Sequence, residues 1–312
     1  MLFGFAVHWY GFVHPLQPIT HHSDAFLYKS LISDHLDLFL NHTWLNTLLV
    51  VVFVCIQAFF LNYLAIEQKL FLKNQYLPGM TYVLFSAQLT EWNALSPGWI
   101  ASTILAWVLV RSCQLHKSPK AGQALFGIGF AIGVASLLYF ASMVFILLVM
   151  VALILIRPFR LSEWVLIFIG FLTPIYFVLS FLFLTDRSLS LIVPDLGSSL
   201  PNLVMQKTEW AALAIILLVV LSGWFLIQQN LLRLLVQSRK SWSIIFVFFL
   251  VALAIAFLNE SPTNSNFLFI LSPLSVCGAA AFLYPTRRWI PNLSYWALIC
   301  LAIVTGYFFV MQ

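Results

Sequence analysis

Histidine and aspartate residues are concentrated near the start of this chain, where their side chains could carry protons or bind an ion. Three aspartates, Asp24, Asp34 and Asp37, are interleaved with the histidines of this region. Carboxylate and imidazole groups are common general acids and bases in enzymes. The first chemistry that this segment suggests is therefore activation of a hydroxyl. Six of the seven histidines lie in the first 42 residues: His8, His14, His21, His22, His35 and His42.

Asp24 has the most distinctive position among these acids. It follows Ser23, comes after the first apolar segment, and precedes a predicted helix. Two interpretations are open. Asp24 is either an N-cap, a position for which Ser and Asp are both favoured, or a catalytic or ligand-binding carboxylate at the mouth of a helical bundle.

The segment 25–41 has the periodicity of an amphipathic helix that lies on a membrane surface. The polar stripe has the spacing i, i+4, i+7, i+11, and we expect Asp34 and Asp37 to be solvated members of it. The stripe consists of Ser30, Asp34, Asp37 and Asn41. The opposite, apolar face consists of Tyr28, Ile32, Leu36 and Phe39.

His21, His22 and Asp24 are the residues of this loop that could hold a divalent ion, because imidazole and carboxylate suit several metals. Adjacent histidines on one stretch of loop rarely point at one ion, and neither an H-E-x-x-H nor an H-x-H frame occurs here. We therefore assign no metal site and no certain cofactor, and a divalent ion at these residues stays open as the alternative. His21 and His22 remain candidates for substrate binding.

A second polar segment, 185–209, contains Arg187 and Lys207, two of the three basic residues predicted for the outer face. Such side chains pair well with a phosphate. They are either partners of an anionic lipid headgroup or members of an ordinary solvated loop. Glu91, in the short turn Glu91-Trp92-Asn93, is either an interfacial residue or part of a substrate-binding lumen.

Composition places these residues on a membrane protein. Of 312 residues, 62% are hydrophobic and 8% are charged, with a mean hydropathy of +0.99. Soluble domains carry about 25% charged residues, so composition excludes a water-soluble fold. The basic residues form no continuous stripe that could follow a nucleic-acid backbone.

The charges alternate from one gap to the next. Twelve of the fifteen Lys and Arg residues fall in every second gap between apolar runs, and eight of the ten acids fall in the others. The positive-inside rule makes the basic gaps cytoplasmic. The pattern predicts a multi-pass protein of the bacterial inner membrane with a cytoplasmic N-terminus and a periplasmic C-terminus.

The fold is predicted to be all-α, a polytopic transmembrane bundle of about eleven spans that forms a single membrane domain over 1–312. The outer loops are 14–43 and 185–209, and no soluble domain is expected. Segment 1–13 is either a span without its N-terminal part or a partly inserted helix. Gly129 and Gly133 have the small-xxx-small spacing of close helix contacts. The predicted spans are 1–13, 44–65, 76–90, 97–112, 121–139, 141–157, 162–184, 210–228, 242–258, 267–284 and 293–311.

Several stretches resemble a family of inner-membrane proteins known from Bacteroidota. The resemblance covers residues 44–184 and brings no activity with it. It is carried by Phe59-Phe60-Leu61-Asn62-Tyr63-Leu64, Tyr76-Leu77-Pro78-Gly79-Met80, the segment 126–158, Ile156-Arg157-Pro158-Phe159 and Leu172-Thr173-Pro174-Ile175-Tyr176.

In topology the chain is also similar to the membrane-embedded glycosyltransferases of the GT-C superfamily. That resemblance implies a polyprenyl-phosphate sugar donor and a catalytic acid in the first outer loop, just after the first span. By position Asp24 matches this acid. The chain has neither an Asp-x-Asp nor a Glu-x-Asp pair and no large soluble C-terminal domain.

Two functions follow as expectations. The first is a glycosyltransferase of the periplasmic face in which Asp24 is the base and Arg187 and Lys207 bind the lipid phosphate. The second is a non-enzymatic scaffold or assembly subunit of a cell-envelope complex, with a membrane-protein partner. A transporter is disfavoured because the predicted span interiors hold no charged residues. Membrane lipids are expected partners in every case.

Overall fold

The computed structural model describes residues 8–13, 27–28, 43–73, 75–115, 121–156, 160–186, 207–258, 264–285 and 289–310. All regular structure in these ranges is helical, without a strand, so the all-α prediction is confirmed. The described α-helices are α1 Trp9–Val13, α2 Thr43–Glu67, α3 Leu77–Ser86, α4 Pro97–Gln114, α5 Ala121–Leu138, α6 Ile146–Ile156, α7 Leu161–Leu184, α8 Lys207–Asn230, α9 Val236–Leu258, α10 Leu268–Leu283 and α11 Trp289–Val310. Short 3-10 helices occupy Thr90–Asn93, Phe140–Phe145, Leu231–Arg233 and Asn264–Phe267.

Each predicted apolar segment overlaps one of these helices, but their lengths differ widely. A helix needs about 20 residues to cross the hydrocarbon of a bilayer. Four of the described helices are long and apolar enough to do so, with mean hydropathies of 1.8 to 2.6. By contrast α3 has ten residues, or about 15 Å at 1.5 Å per residue. The apolar helices are compatible with a multi-pass membrane protein. The four long ones are Trp44–Glu67, Leu161–Leu184, Thr208–Arg233 and Val236–Ala256.

Helices α5 and α7 pack through glycine. A Cβ added at Gly129 would lie 2.3 Å from Ile167 O, and one added at Gly133 would lie 2.4 Å from Phe171 O. These distances leave no room for a side chain on this face of α5. The close contact predicted from the small-xxx-small spacing is confirmed, and it is made to α7.

A polar network lies inside the bundle where α2, α3 and α4 meet. Tyr82 OH donates to Gln57 Oε1 at 2.5 Å. Gln57 Nε2 donates to Thr103 Oγ1 at 2.7 Å and to Ser102 Oγ at 3.1 Å. Because its oxygen and nitrogen both find partners, the buried Gln57 amide ties three helices together without an unsatisfied group.

The connection between α2 and α3 packs against the start of α9. The Ser238 hydroxyl lies 2.8 Å from the backbone oxygens of Gln68 and of Lys69. Trp242 Nε1 donates to Leu70 O at 3.2 Å. Two of the gaps predicted to be cytoplasmic therefore meet at one end of the bundle. We call this end, with Lys69, Lys73, Arg233, Arg239 and Lys240, the basic end.

Candidate functional site

At the other end of α2 and α3, a buried histidine joins the start of the chain to the turn between α3 and α4. His8 is 1% exposed. Its Nδ1 lies 2.7 Å from Asn93 Oδ1, and its Nε2 lies 3.2 Å from Ser86 Oγ. Ser86 is the last residue of α3, and Asn93 is the last residue of the 3-10 helix Thr90–Asn93. We call these three residues the His8 cluster.

The His8 cluster allows two hydrogen-bond arrangements at the Ser86 hydroxyl. Because Asn93 Oδ1 is an acceptor, His8 Nδ1–H donates to it. The Ser86 hydroxyl carries one proton and has two acceptors in reach, His8 Nε2 and, at 3.0 Å, Val83 O. When Ser86 donates to the ring, His8 is neutral. When Ser86 donates to Val83 O, its oxygen can accept a proton from Nε2–H.

Two further hydrogen bonds hold the elements that carry the cluster. Trp99 is fully buried, and its Nε1 donates to Trp92 O at 3.0 Å. This bond fixes the 3-10 helix against the start of α4. Thr47 Oγ1 donates to Gly11 O at 2.8 Å, which fixes α1 against α2. The positions of His8 and Asn93 are therefore set by packing on both sides.

Tyr28 reaches the same turn from the first long loop. It is 1% exposed, and its hydroxyl donates to Leu95 O at 3.3 Å. Leu27 and Tyr28 are helical, in agreement with the amphipathic helix predicted over 25–41, whose other residues lie outside the described ranges. The prediction that Tyr28 belongs to the apolar face agrees with its burial.

A second buried polar pair lies next to this turn. The Tyr139 hydroxyl donates to Asn266 Oδ1, and Asn266 is 1% exposed. Its 3-10 helix, Asn264–Phe267, packs against Thr90–Asn93. Gln88 Nε2 donates to Leu298 O at 3.0 Å and so ties the end of α3 to α11. This end of the bundle therefore concentrates buried amide, hydroxyl and imidazole groups.

Of the residues predicted to bind substrate, the structure brings one to this cluster. Glu91 is half-buried in the 3-10 helix that ends at Asn93. Lys207 is the first residue of α8, and its side chain lies outside the described set. The remaining predicted site residues, Asp24, His21, His22 and Arg187, also lie outside the described ranges.

One predicted boundary changes at the second loop. The loop was expected over 185–209, but α8 already begins at Lys207. Glu209 is 4% exposed in the first turn of α8, where we expected a solvated loop residue. An acid in the first turn interacts favourably with the helix dipole, which gives Glu209 a structural role there.

Sequence reasoning did not single out His8, Ser86 or Asn93. His8 was counted with the other histidines, although segment 1–13 contains no other His and no Asp, Glu, Lys or Arg. That isolation was an available signal, because buried polar groups require hydrogen-bond partners. Ser86 and Asn93 gave no such signal, since both are ordinary at the ends of helices.

Within the described ranges, no three His, Cys, Asp or Glu side chains come together as a metal site would require. The geometry of the His8 cluster instead suits hydrogen bonding and proton transfer. Imidazole, hydroxyl and amide groups meet there.

Comparison with known proteins identifies a family for the chain. The sequence model of a family of unknown function, DUF6427, matches residues 27–312, and the chain belongs to this family. The chain matches no curated protein and no solved structure.

Proposed function

We propose that this DUF6427 member is a membrane-embedded glycosyltransferase that takes its sugar from a polyprenyl phosphate at the periplasmic face of the bacterial inner membrane. The observation that carries the proposal is the His8 cluster. It is a buried, hydrogen-bonded polar site at one end of an apolar bundle. Glu91 shares its turn, and Tyr28 of the first loop docks beside it.

The proposed base is Asp24. It precedes Leu27 by three residues, and three residues of chain span at most about 10 Å. Asp24 is therefore proposed to lie within reach of Tyr28, in the same segment of the chain. Asp24 accepts the proton of the acceptor hydroxyl while that oxygen attacks the anomeric carbon of the sugar. The bond from that carbon to the phosphate oxygen breaks, and the lipid phosphate leaves with the electron pair.

Arg187 and Lys207 are proposed to bind the departing phosphate, where positive charge stabilises the developing negative charge. His21, His22 and Glu91 are proposed to bind the acceptor through hydrogen bonds. A single displacement inverts the configuration at the anomeric carbon. In this scheme His8 is a positioning residue, because it holds the turn that carries Glu91 and does not touch the reacting atoms.

The proposed topology is GT-C-like, with eleven spans, the N-terminus in the cytoplasm and the C-terminus in the periplasm. The positive-inside rule assigns the basic end to the cytoplasm. The His8 cluster then faces the periplasm. Short helices such as α3 cross only part of the bilayer and are surrounded by longer ones.

The direct test of the base is Asp24→Asn in a transfer assay with polyprenyl-phosphate sugar and membrane extract. We expect the variant to lose turnover and to keep its expression and unfolding midpoint. Asp34→Asn, on the predicted solvated stripe, is the matched control and should remain active. Full turnover by Asp24→Asn would overturn the assignment.

Retained lipid gives a second test. Native mass spectra of the protein in mild detergent should show a bound polyprenyl phosphate or its glycosylated form. The combined Arg187→Gln and Lys207→Gln variant should lose that mass. Retention of bulk phospholipid alone would favour the scaffold function.

That second function, a non-enzymatic scaffold in a cell-envelope complex, is favoured by the position of α7. Only 22% of its apolar window is buried, the lowest value among the four long helices. Large side chains on it, including Leu172, Tyr176 and Phe183, are exposed. A membrane-protein partner would bind this face, and stoichiometric co-purification that is lost in Tyr176→Ala would support this function.

A further inference from the structure

A groove opens on the side of the bundle between α8, α9 and α10. Its cavity has a volume of about 240 Å³, and its walls are almost wholly apolar. Helices α8 and α9 are two of the four helices long and apolar enough to cross a membrane, so we expect the groove to open toward lipid hydrocarbon. Its lining includes Leu217, Leu221, Trp224, Phe246, Pro273 and Cys277.

The size and chemistry of the groove select a hydrocarbon chain. Pockets for whole small molecules measure about 300–1,000 Å³ and place several polar groups in their walls. This groove is smaller and offers almost no polar atom to a ligand. The rings of Trp224 and Phe246, whose centroids are 5.3 Å apart, form adjoining parts of its wall. A sugar or a phosphate would lose its hydration there without compensation.

Basic side chains lie along the same helices toward the basic end. Arg239 precedes Phe246 by seven residues on α9, which places both on one stripe about 10 Å apart along the axis. Arg239 Nε is buried, and no acceptor among the described residues lies in hydrogen-bond reach of it. Arg233 and Lys240, at the connection of α8 with α9, are exposed.

We propose that this groove and Arg239, Arg233 and Lys240 form a binding site for one anionic diacyl phospholipid. Its phosphate lies at the half-buried Arg239 side chain, whose guanidinium group donates to a phosphate oxygen. One acyl chain runs from there into the groove. The hydrocarbon of one leaflet is about 15 Å deep, so a chain that starts at the level of Arg239 extends past Phe246.

This site is separate from the proposed sugar donor, which binds at the opposite end of the bundle. It does not depend on the proposed glycosyltransferase activity. The predicted topology places it in the cytoplasmic leaflet, where basic residues near the surface attract anionic lipids.

The test is native mass spectrometry of the full chain released from bilayer discs of equal parts phosphatidylglycerol and phosphatidylcholine. We expect one retained phosphatidylglycerol per protein. Arg239→Gln should lower the retained fraction at least tenfold, while Arg160→Gln, an exposed arginine before α7, should leave it unchanged. Leu221→Trp, which fills the groove, should also abolish retention. Leu218→Trp, at an exposed position three residues earlier that does not line the groove, should not.

Unfolding midpoints show which variants are folded, and Phe246→Trp replaces Leu221→Trp if the latter is not. Equal retention of phosphatidylcholine would overturn the proposal. Undiminished retention in either Arg239→Gln or the folded groove variant would do the same. Displacement of the lipid by millimolar glycerol 3-phosphate would show that the acyl chain contributes nothing, and it would also overturn the proposal.

Discussion

The two ends of this bundle differ in where their ionisable side chains lie: His8 is buried at one end, and most lysines and arginines are exposed at the other. At the His8 end, side chains bond to other side chains: His8 to Asn93 and to Ser86, and Tyr139 to Asn266. At the basic end, Ser238 and Trp242 donate to backbone oxygens of the α2–α3 connection, and Gln237 and Ser241 donate to the side-chain oxygen of Gln68. Its lysines and arginines mostly extend outward.

This difference indicates which end of the bundle depends more on the identity of its side chains. A buried imidazole needs hydrogen-bond partners inside the protein, whereas an exposed ammonium or guanidinium group is solvated. The His8 end is therefore less tolerant of substitution and better suited to hold a reactive geometry. The basic end tolerates changes in its charges, which suits contact with headgroups and a role in topology.

The largest effect should come from His8→Ala. The change removes a buried ring and leaves Asn93 Oδ1 without its imidazole partner, while Ser86 keeps its bond to Val83 O; we expect a loss of about 2–4 kcal/mol of unfolding free energy. Denaturant unfolding in mild detergent measures it. The control is Trp9→Ala, at the neighbouring 67% exposed position, which should unfold as wild type does. If the His8→Ala protein is as stable as wild type, the His8 end is not more sensitive to substitution than the basic end.

Each end of the bundle contains a tryptophan whose indole N–H donates to a backbone oxygen, so the same substitution can be compared at both ends. Trp99 Nε1 donates to Trp92 O, and Trp242 Nε1 donates to Leu70 O. Because both acceptors are backbone oxygens, Trp99→Phe and Trp242→Phe should each lower the unfolding free energy by about 1–2 kcal/mol. The same unfolding measurement compares them. A loss confined to one variant would show that the other end does not depend on its indole bond.

Ser238→Ala tests the contact of α9 with the α2–α3 connection. Its hydroxyl serves two backbone oxygens with one proton, so we expect a loss of about 0.5–1.5 kcal/mol. Ser243→Ala is the control, since that hydroxyl is exposed and bonds only within its own helix, to Arg239 O. Equal unfolding of the two variants would mean that the Ser238 bonds do not stabilise the basic end.

The smallest effect on stability is expected from Arg233→Gln. This exposed side chain follows α8, and surface substitutions of this kind change stability little. The unfolding midpoint in detergent should stay at the wild-type value, while retention of phosphatidylglycerol should fall. A large loss of stability would indicate that the charged side chains of the basic end contribute to the stability of the fold.

The sequence predicted the elements well because their signals are local. The apolar run 44–65 contains most of helix Thr43–Glu67, and the spacing of Gly129 and Gly133 predicted a close contact that the structure contains. Each of these signals lies within a few turns of one helix. The alternation of charge also predicted that the α2–α3 connection and the segment before α9 lie on the same side of the membrane. The contacts of Ser238 show that these two segments meet at one end of the bundle.

The His8 cluster could not be predicted in the same way. His8 and Asn93 are 85 positions apart along the chain, and their pairing depends on how α1, α3 and the turn before α4 converge. The segment 76–90 was predicted as one span, but α3 ends at Ser86. Beyond it the chain turns so that Gln88 bonds Leu298 and Asn93 bonds His8. Periodicity carries no information about such long-range contacts.

The central claim is that the two ends face different compartments, with the His8 end outside and the basic end in the cytoplasm. Cysteine accessibility tests it most directly, in a background where Cys55, Cys113, Cys277 and Cys300 are replaced by alanine. We would introduce Asp186→Cys and Lys73→Cys separately, since both positions are exposed, and treat spheroplasts with a membrane-impermeant maleimide.

We expect the Asp186→Cys protein to be labelled in intact spheroplasts. The Lys73→Cys protein should be labelled only after permeabilisation. The opposite pattern would place the basic end outside, and it would contradict both the proposed donor site and the proposed position of the phospholipid.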